Sequence, residues 1–286
     1  MDVRKAVFAG SWYPRQAGAC EADIQRYLAG QGRQPDLQLN SRLGGIVPHA
    51  GWYYSGEIAC QVINALKEDP PPHVVVLFGM HLHAGSASYL MAQGAWETPF
   101  GLLPVAEDLA AHLLKRFDFQ VESARNFVQD NTIELQLPFV QYLINPERIL
   151  ALGVPPVAQS LDMGREVVDW ATQNGKRLKI IGSTDLTHYG AGYGFSPRGS
   201  GKQAVAWVRN ENDRRVIDAM LAMTPERVIE EGQQHQNACC SGAAATAIAA
   251  AKHMGASQAR TLAYATSYDK SPGESFVGYV GIVFGN

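Results

Sequence analysis

The chain has 286 residues, 46% of them hydrophobic, which is enough to bury a substantial core in one or two domains. Its 24 basic and 27 acidic residues are interspersed and sum to −3, which argues against nucleic acid or an anionic membrane as the main partner. No apolar run approaches the ~20 residues that span a bilayer, the N-terminus lacks a signal-peptide apolar stretch, and four cysteines, two of them adjacent, make no disulfide framework; a reducing cytoplasm is the expected location.

In chain order, short apolar runs alternate with helical patterns. Residues 44–47 read as a buried strand, and 55–67 as a helix stopped by Pro70-Pro71-Pro72. Residues 74–78 form the next expected strand. Residues 90–92 and 102–104 are expected to pair antiparallel around Thr98-Pro99-Phe100-Gly101. A helix over 107–116 carries Leu109, Leu113 and Leu114 at helical spacing, and a second covers 134–143. Then come a strand at 149–154, a helix at 162–173 and a strand at 178–183. Residues 189–201 hold five glycines and one proline and read as a mobile loop, a candidate lid. Helices over 202–220 and 225–231 follow. The Ala-rich stretch 242–254 is the last helix, its small residues suited to close packing on a sheet. Strands at 261–265 and 276–283 end the series. This alternation implies an α/β fold, one domain over residues 1–286 with a central mixed sheet flanked by helices.

Ligands of α/β folds collect at the carboxyl ends of strands. His49 follows the first of the central strands; His81 and His83 follow the second; Asp185 and His188 follow the strand at 178–183. Cys239 and Cys240 stand just before the Ala-rich helix, where a thiolate is favoured. Neutral imidazole suits Fe, Cu or Zn, and thiolate shifts the preference toward softer or redox-active metals. His-Glu-x-x-His, Cys-x-x-Cys, Gly-x-Gly-x-x-Gly and Gly-x-Ser-x-Gly motifs are all absent. Asp185 reads either as an orienting or proton-holding carboxylate or as a helix cap. Glu134 reads either as a cleft residue or as a capping-box partner of Asn131. Tyr53, in Gly51-Trp52-Tyr53-Tyr54, reads either as a pocket wall or as core.

The pieces Ala9-Gly10-Ser11-Trp12-Tyr13-Pro14, Val47-Pro48-His49-Ala50-Gly51-Trp52, Thr98-Pro99-Phe100-Gly101, Thr132-Ile133-Glu134-Leu135-Gln136-Leu137-Pro138-Phe139, Ser183-Thr184-Asp185-Leu186-Thr187-His188-Tyr189-Gly190 and the Cys239-Cys240 segment occur in that order. With them the chain resembles the Memo family, whose prokaryotic members are called AmmeMemoRadiSam system protein B. The resemblance implies a fold like that of class III extradiol dioxygenases, with a non-haem Fe(II) site; Cu or Zn are the other expected metals. It implies His49, His81 and Cys239 as metal ligands, with His83 and Cys240 as alternatives. It further implies His188 as the acid/base histidine with Asp185 beside it, and Trp12, Tyr53 and Glu134 as substrate-binding residues. Association with AMMECR-like and radical SAM proteins is also implied. The chain departs from the family pattern at Gly79-Met80-His81, which lacks the usual proline, and at Cys240, where glycine is usual. Asn131 and Phe8 stand where histidines are common.

Three functions follow as expectations. The first is a metal-dependent redox enzyme or oxygenase acting on a small organic substrate. The second is a non-catalytic scaffold that keeps the cleft and captures a peptide or small ligand. The third is a hydrolase with Cys239 as nucleophile and His188 as base.

Overall fold

The computed structural model describes residues 1–30 and 37–286. The chain opens with β1 (Val3–Arg4), α1 (Ala17–Ala29) and β2 (Arg42–Val47), then passes through a wide π-type turn, Trp52–Gly56, into α2 (Glu57–Ala65). Next come β3 (Val74–Gly79), β4 (Tyr89–Met91), β5 (Ala95–Thr98), β6 (Gly101–Pro104), α3 (Glu107–Leu114) and β7 (Gln120–Glu122). Two short helical pieces, α4 (Asn131–Glu134) and α5 (Leu137–Phe139), lead to β8 (Arg148–Gly153), α6 (Ala158–Gln173), β9 (Leu178–Ser183) and β10 (His188–Tyr189). The last third holds α7 (Lys202–Trp207), α8 (Asp213–Leu221), α9 (Pro225–His235), α10 (Ser241–His253), β11 (Gln258–Thr266) and β12 (Phe276–Gly285).

The main sheet runs β10-β12-β2-β9-β3-β8-β4-β7, with β11 antiparallel to β12. Its centre, β2-β9-β3-β8, is parallel, and antiparallel pairs flank it on both sides. Every residue of β3, β9 and β12 is buried, which is why these strands are continuous apolar runs rather than alternating ones. One face is covered by α2, the other by α10 with α6 and α9 behind it. The alanines of α10 are buried throughout, and a Cβ added at Gly182 of β9 would lie 2.7 Å from Cβ of Ala247. The helix and strand therefore meet at a distance only small residues permit. A mixed α/β single domain with a central sheet flanked by helices is what the sequence pattern implied.

Two local expectations are corrected. The antiparallel pair around Thr98-Pro99-Phe100-Gly101 is β5 with β6, not 90–92 with 102–104. Gly94, at φ 96°, turns the chain after β4, and β4 joins the main sheet between β8 and β7. The helix expected over 134–143 instead begins at Asn131, is interrupted, and restarts at Leu137, with Pro138, which lacks an N–H, in its first turn. Asp130, not Asn131, caps it, accepting from the Thr132 N–H at 2.9 Å. The glycine-rich segment 189–201 is largely exposed beyond Gly190, with Tyr189 bonding its start to its end. The Tyr189 hydroxyl donates to the Gly199 carbonyl and accepts from the Arg198 N–H, and the ring packs in a small cluster with Val208 and Phe276. Among the described residues no helix is long and apolar enough to cross a membrane.

Candidate metal centre

β2, β9 and β3 lie side by side and parallel, so the loops after them share one rim of the sheet. The first loop brings His49, the second Asp185 and His188, the third His81. Cys239 and Cys240 reach the same place from the start of α10, where Cys240 is the N-cap residue. Backbone bonds fasten the loops together: the Thr184 N–H donates to Val47 O, and the Cys239 N–H to Asp185 O. The Cys240 N–H donates to the Thr184 hydroxyl.

The delivery of His81 depends on an unusual backbone. Met80 has φ 72°, a left-handed conformation that costs a non-glycine residue about 1–2 kcal/mol. Its N–H donates to Thr132 Oγ1 at 2.7 Å and its side chain is buried, so surrounding contacts hold the strain in place. That kink stands where the family pattern has a proline.

Both ligand-type histidines are held by their Nδ1 atoms. The Ser183 hydroxyl donates its one proton to the Thr132 carbonyl at 2.7 Å. It must therefore accept from His49, whose Nδ1 is 3.0 Å away. Asp130 Oδ2 accepts from the His81 N–H at 3.1 Å and from His81 Nδ1 at 2.9 Å. Nδ1 therefore holds a proton in each ring, so Nε2 is the atom that meets a metal once any proton on it is displaced, as in metal sites whose histidines are oriented by a second hydrogen bond. The rings meet edge to face with centroids 5.0 Å apart, and Cys239 Sγ is 3.3 Å from His49 Nε2. One donor atom each from His49, His81, Cys239 and Cys240 fall within 4.8 Å of one another. With metal–nitrogen bonds of about 2.1 Å and metal–sulfur bonds of about 2.3 Å, neighbouring N and S donors lie roughly 3.1–3.6 Å apart. The residues therefore fit a transition metal by donor type and by orientation, and the Cys239–His49 pair fits by spacing as well.

The electrostatics favour a thiolate, while an ion would compete with protons for the two histidine Nε2 atoms. Burial opposes ionisation of Cys239, but the Cys240 thiol, His49 and His188 outweigh it and hold its pKa well below the usual thiol value. Burial would lower the His49 pKa, yet Asp185 and Cys239 raise it. His81 follows the same pattern: burial lowers it, while bonds to Asp130 and Cys239 push it up to about 10. Its side chain is 42% exposed, so water screens these interactions and the direction matters more than the size. Asp185 is buried, which raises its pKa against the pull of His49 and His188.

Asp185 does two things. Its Oδ1 accepts the His49 backbone N–H at 2.7 Å. Its Oδ2 stands 3.9 Å from His49 Nε2 and 4.0 Å from His188 Nε2. His188 Nε2 is buried and has no protein hydrogen-bond partner. An orphaned buried polar atom of this kind marks a place for a ligand.

These groups floor a cleft of about 570 Å³. Trp12 and Tyr53 form part of its wall and are 41% and 65% exposed. Tyr193 and Tyr279 also line it, although neither stands out in the sequence. Cys239 faces a second cavity of about 300 Å³, which shares His188 and Tyr193 with the first.

Two candidates lie elsewhere. Glu134 is buried behind the cleft, where its carboxylate accepts the Val7 and Phe8 N–H groups and the Tyr13 hydroxyl. It ties down the N-terminal segment and reaches no ligand. It is also no capping-box partner, because Asp130 caps that turn. His83 is exposed and turned toward the Ser86 hydroxyl, 3.2 Å away, and is not among the four converging donors. Asp130, Thr132 and Ser183, which orient the histidines, carry no distinguishing sequence signal beyond lying at strand and helix ends. Asn131 donates to His49 O at 2.7 Å and lines the cleft, so it holds the backbone of His49.

Residues 4–283 match the Memo-like protein family. The chain is 32% identical to a MEMO1 family protein of Pyrococcus furiosus and 31% identical to one of Methanopyrus kandleri, each over 98% of both chains. It is 31% identical to one of Methanosarcina acetivorans over 99% of both. Among solved structures, an uncharacterized protein of Escherichia coli K12 matches with a TM-score of 0.55 at 11% identity, covering 85% of this chain and all of that one. At that identity the likeness is one of fold.

Proposed function

Since the chain belongs to the Memo family, we propose that it is a metal-dependent oxidoreductase whose cleft binds a small organic substrate beside an ion held by His49, His81 and Cys239. The observation that carries this reading is the matched pair of Nδ1 bonds, Ser183 to His49 and Asp130 to His81, which leave Nε2 as the available donor atom of each ring beside the Cys239 sulfur. Two imidazoles and one thiolate suit iron or copper, and the bound ion would supply Lewis acidity and electron transfer.

The protein's own part is binding, orientation and proton movement. Trp12, Tyr53 and Tyr193 offer flat apolar surfaces to a substrate, and Asn131 keeps the His49 loop in place. His188 handles protons. Burial lowers its pKa, but Cys239 and Asp185 raise it above the ordinary histidine value. A nearby cation opposes that rise, and an imidazole in this position can give or take a proton. Asp185 stays buried beside it and steadies the charged form.

Among the described lining residues of the cleft none is lysine or arginine. Phosphate recognition relies on such groups, so this cleft suits a small, weakly charged ligand better than a phosphopeptide. The test is the metal content of protein purified without oxygen. Wild type and His188→Ala are expected to carry metal, and His49→Ala to lose it. Equal content in wild type and His49→Ala would end the proposal.

A further inference from the structure

Cys240 occupies a position where the resembled family pattern has glycine, and its side chain is buried at 2% exposure. Its sulfur lies 3.8 Å from that of Cys239. Two thiolates bound to one ion at about 2.3 Å and at the tetrahedral angle stand roughly 3.8 Å apart. The Cys239–His49 separation of 3.3 Å falls in the range for adjacent sulfur and nitrogen ligands. With His81, all four donors lie within 4.8 Å of one another, so a contraction of up to about 1 Å brings them onto one ion.

The same pair is poorly placed for a disulfide. Adjacent Cα atoms are about 3.8 Å apart, shorter than the roughly 4.4–6.8 Å that disulfides span. A shared ion needs no bond between the sulfurs.

We propose that Cys240 is a second sulfur ligand, so that this centre holds a soft ion of the Cu(I) or Zn(II) class in a two-histidine, two-cysteine set. The inference rests on the metal centre proposed above and narrows its metal, because two thiolates favour Cu(I) and Zn(II) over Fe(II). Copper keeps the redox part of the proposed function; zinc keeps only its Lewis-acid part. On binding, the Cys240 thiol gives up its proton to solvent and its sulfur donates an electron pair to the ion; no oxidant is involved.

The experiment is X-ray absorption on the full chain loaded with Cu(I) and, separately, with Zn(II), together with competitive chelator titrations of wild type, Cys240→Ser and Cys240→Ala. The expected result is two sulfur and two nitrogen neighbours in wild type and one sulfur in either variant. Affinity for the ion is expected to fall about tenfold or more in each. Folding of the variants is checked by circular dichroism, and the wild-type sulfur count stands whether or not they fold. One sulfur in wild type, or variant affinities within twofold of wild type, overturns the role of Cys240 while leaving the three-ligand centre intact. A wild-type chain that binds neither ion overturns the role of Cys240, and one that also binds no iron overturns the centre itself.

Discussion

Asp130→Asn isolates the link between the turn at Asn131 and the proposed metal ligand His81. The carboxylate splits its work. Oδ1 caps the turn through Thr132, and Oδ2 accepts from both the backbone and the ring of His81 at 3.1 and 2.9 Å. Asparagine keeps the cap through its oxygen but turns an NH2 group on two donors. Losing acceptors from a charge-assisted pair costs about 1–3 kcal/mol of stability. Metal affinity is expected to fall about 10–100-fold because the His81 tautomer is no longer held, equivalent to roughly 1.4–2.8 kcal/mol. Asp130→Ala loses the cap as well, a further cost of about 1 kcal/mol in stability.

The pH dependence has a definite sign. Burial works against the Asp130 charge, but bonds from His81 and Thr132 depress its pKa from 3.8 to about 2. Its stabilisation is present above the unfolded value and is lost as pH falls toward 2. His81 is raised from 6.5 to about 10, so its contribution is full below 6.5 and is lost as pH rises through 10. The stability difference between wild type and Asp130→Asn should therefore be largest between about pH 4 and 6.5 and shrink on both sides. Chemical denaturation of the metal-free proteins across pH, with chelator competition at neutral pH, measures both effects. An Asp130→Asn variant with wild-type metal affinity and a pH-independent stability difference would refute the link.

Alkylation of the metal-free protein near neutrality should label Cys239 first, since burial raises Cys20 and Cys60 to about 12 while Cys239 is lowered; peptide mass spectrometry reads the order, and earlier labelling of Cys20 or Cys60 would contradict the assignment. Glu134→Gln should lose about 1–3 kcal/mol in denaturation, because the carboxylate serves three donors, yet leave metal affinity unchanged; a drop in affinity would return Glu134 to the site. Gly278→Ala places a Cβ 2.0 Å from Asp213 Oδ2, in the register that holds Thr187 and His188. It should cost about 1–3 kcal/mol, and less in an Asp213→Ala background. Equal costs in both backgrounds would show that the clash is not the cause.

Much of the fold was legible along the chain. The central strands are apolar runs because both their faces are covered, and the Ala-rich helix is small-sided because it lies against glycine-bearing β9. Local pattern could not place β4, because whether Leu90 and Met91 pair with the nearby hairpin or with β8 depends on partners distant in sequence. Nor could it separate the helix over 202–220 from its π-type stretch Val208–Asn212, which sets the start of α8 where Asp213 is buried.

His49, Asp185, His188 and the cysteine pair could be picked out from the sequence because each stands at the end of a strand or the start of a helix, and such ends collect ligands. Which of two close alternatives faces inward was a different matter. His81 and His83 are two residues apart and chemically alike. Only the left-handed Met80 and the waiting carboxylate of Asp130 turn one of them toward Cys239. Glu134 sits in a motif that pointed to the cleft, yet the packing of the N-terminal segment claims its carboxylate. Strand order determines which loops become neighbours, and hydrogen bonds across those loops determine which nitrogen is left for a ligand. Both are relations between residues far apart in the chain, so they exist only once it has folded.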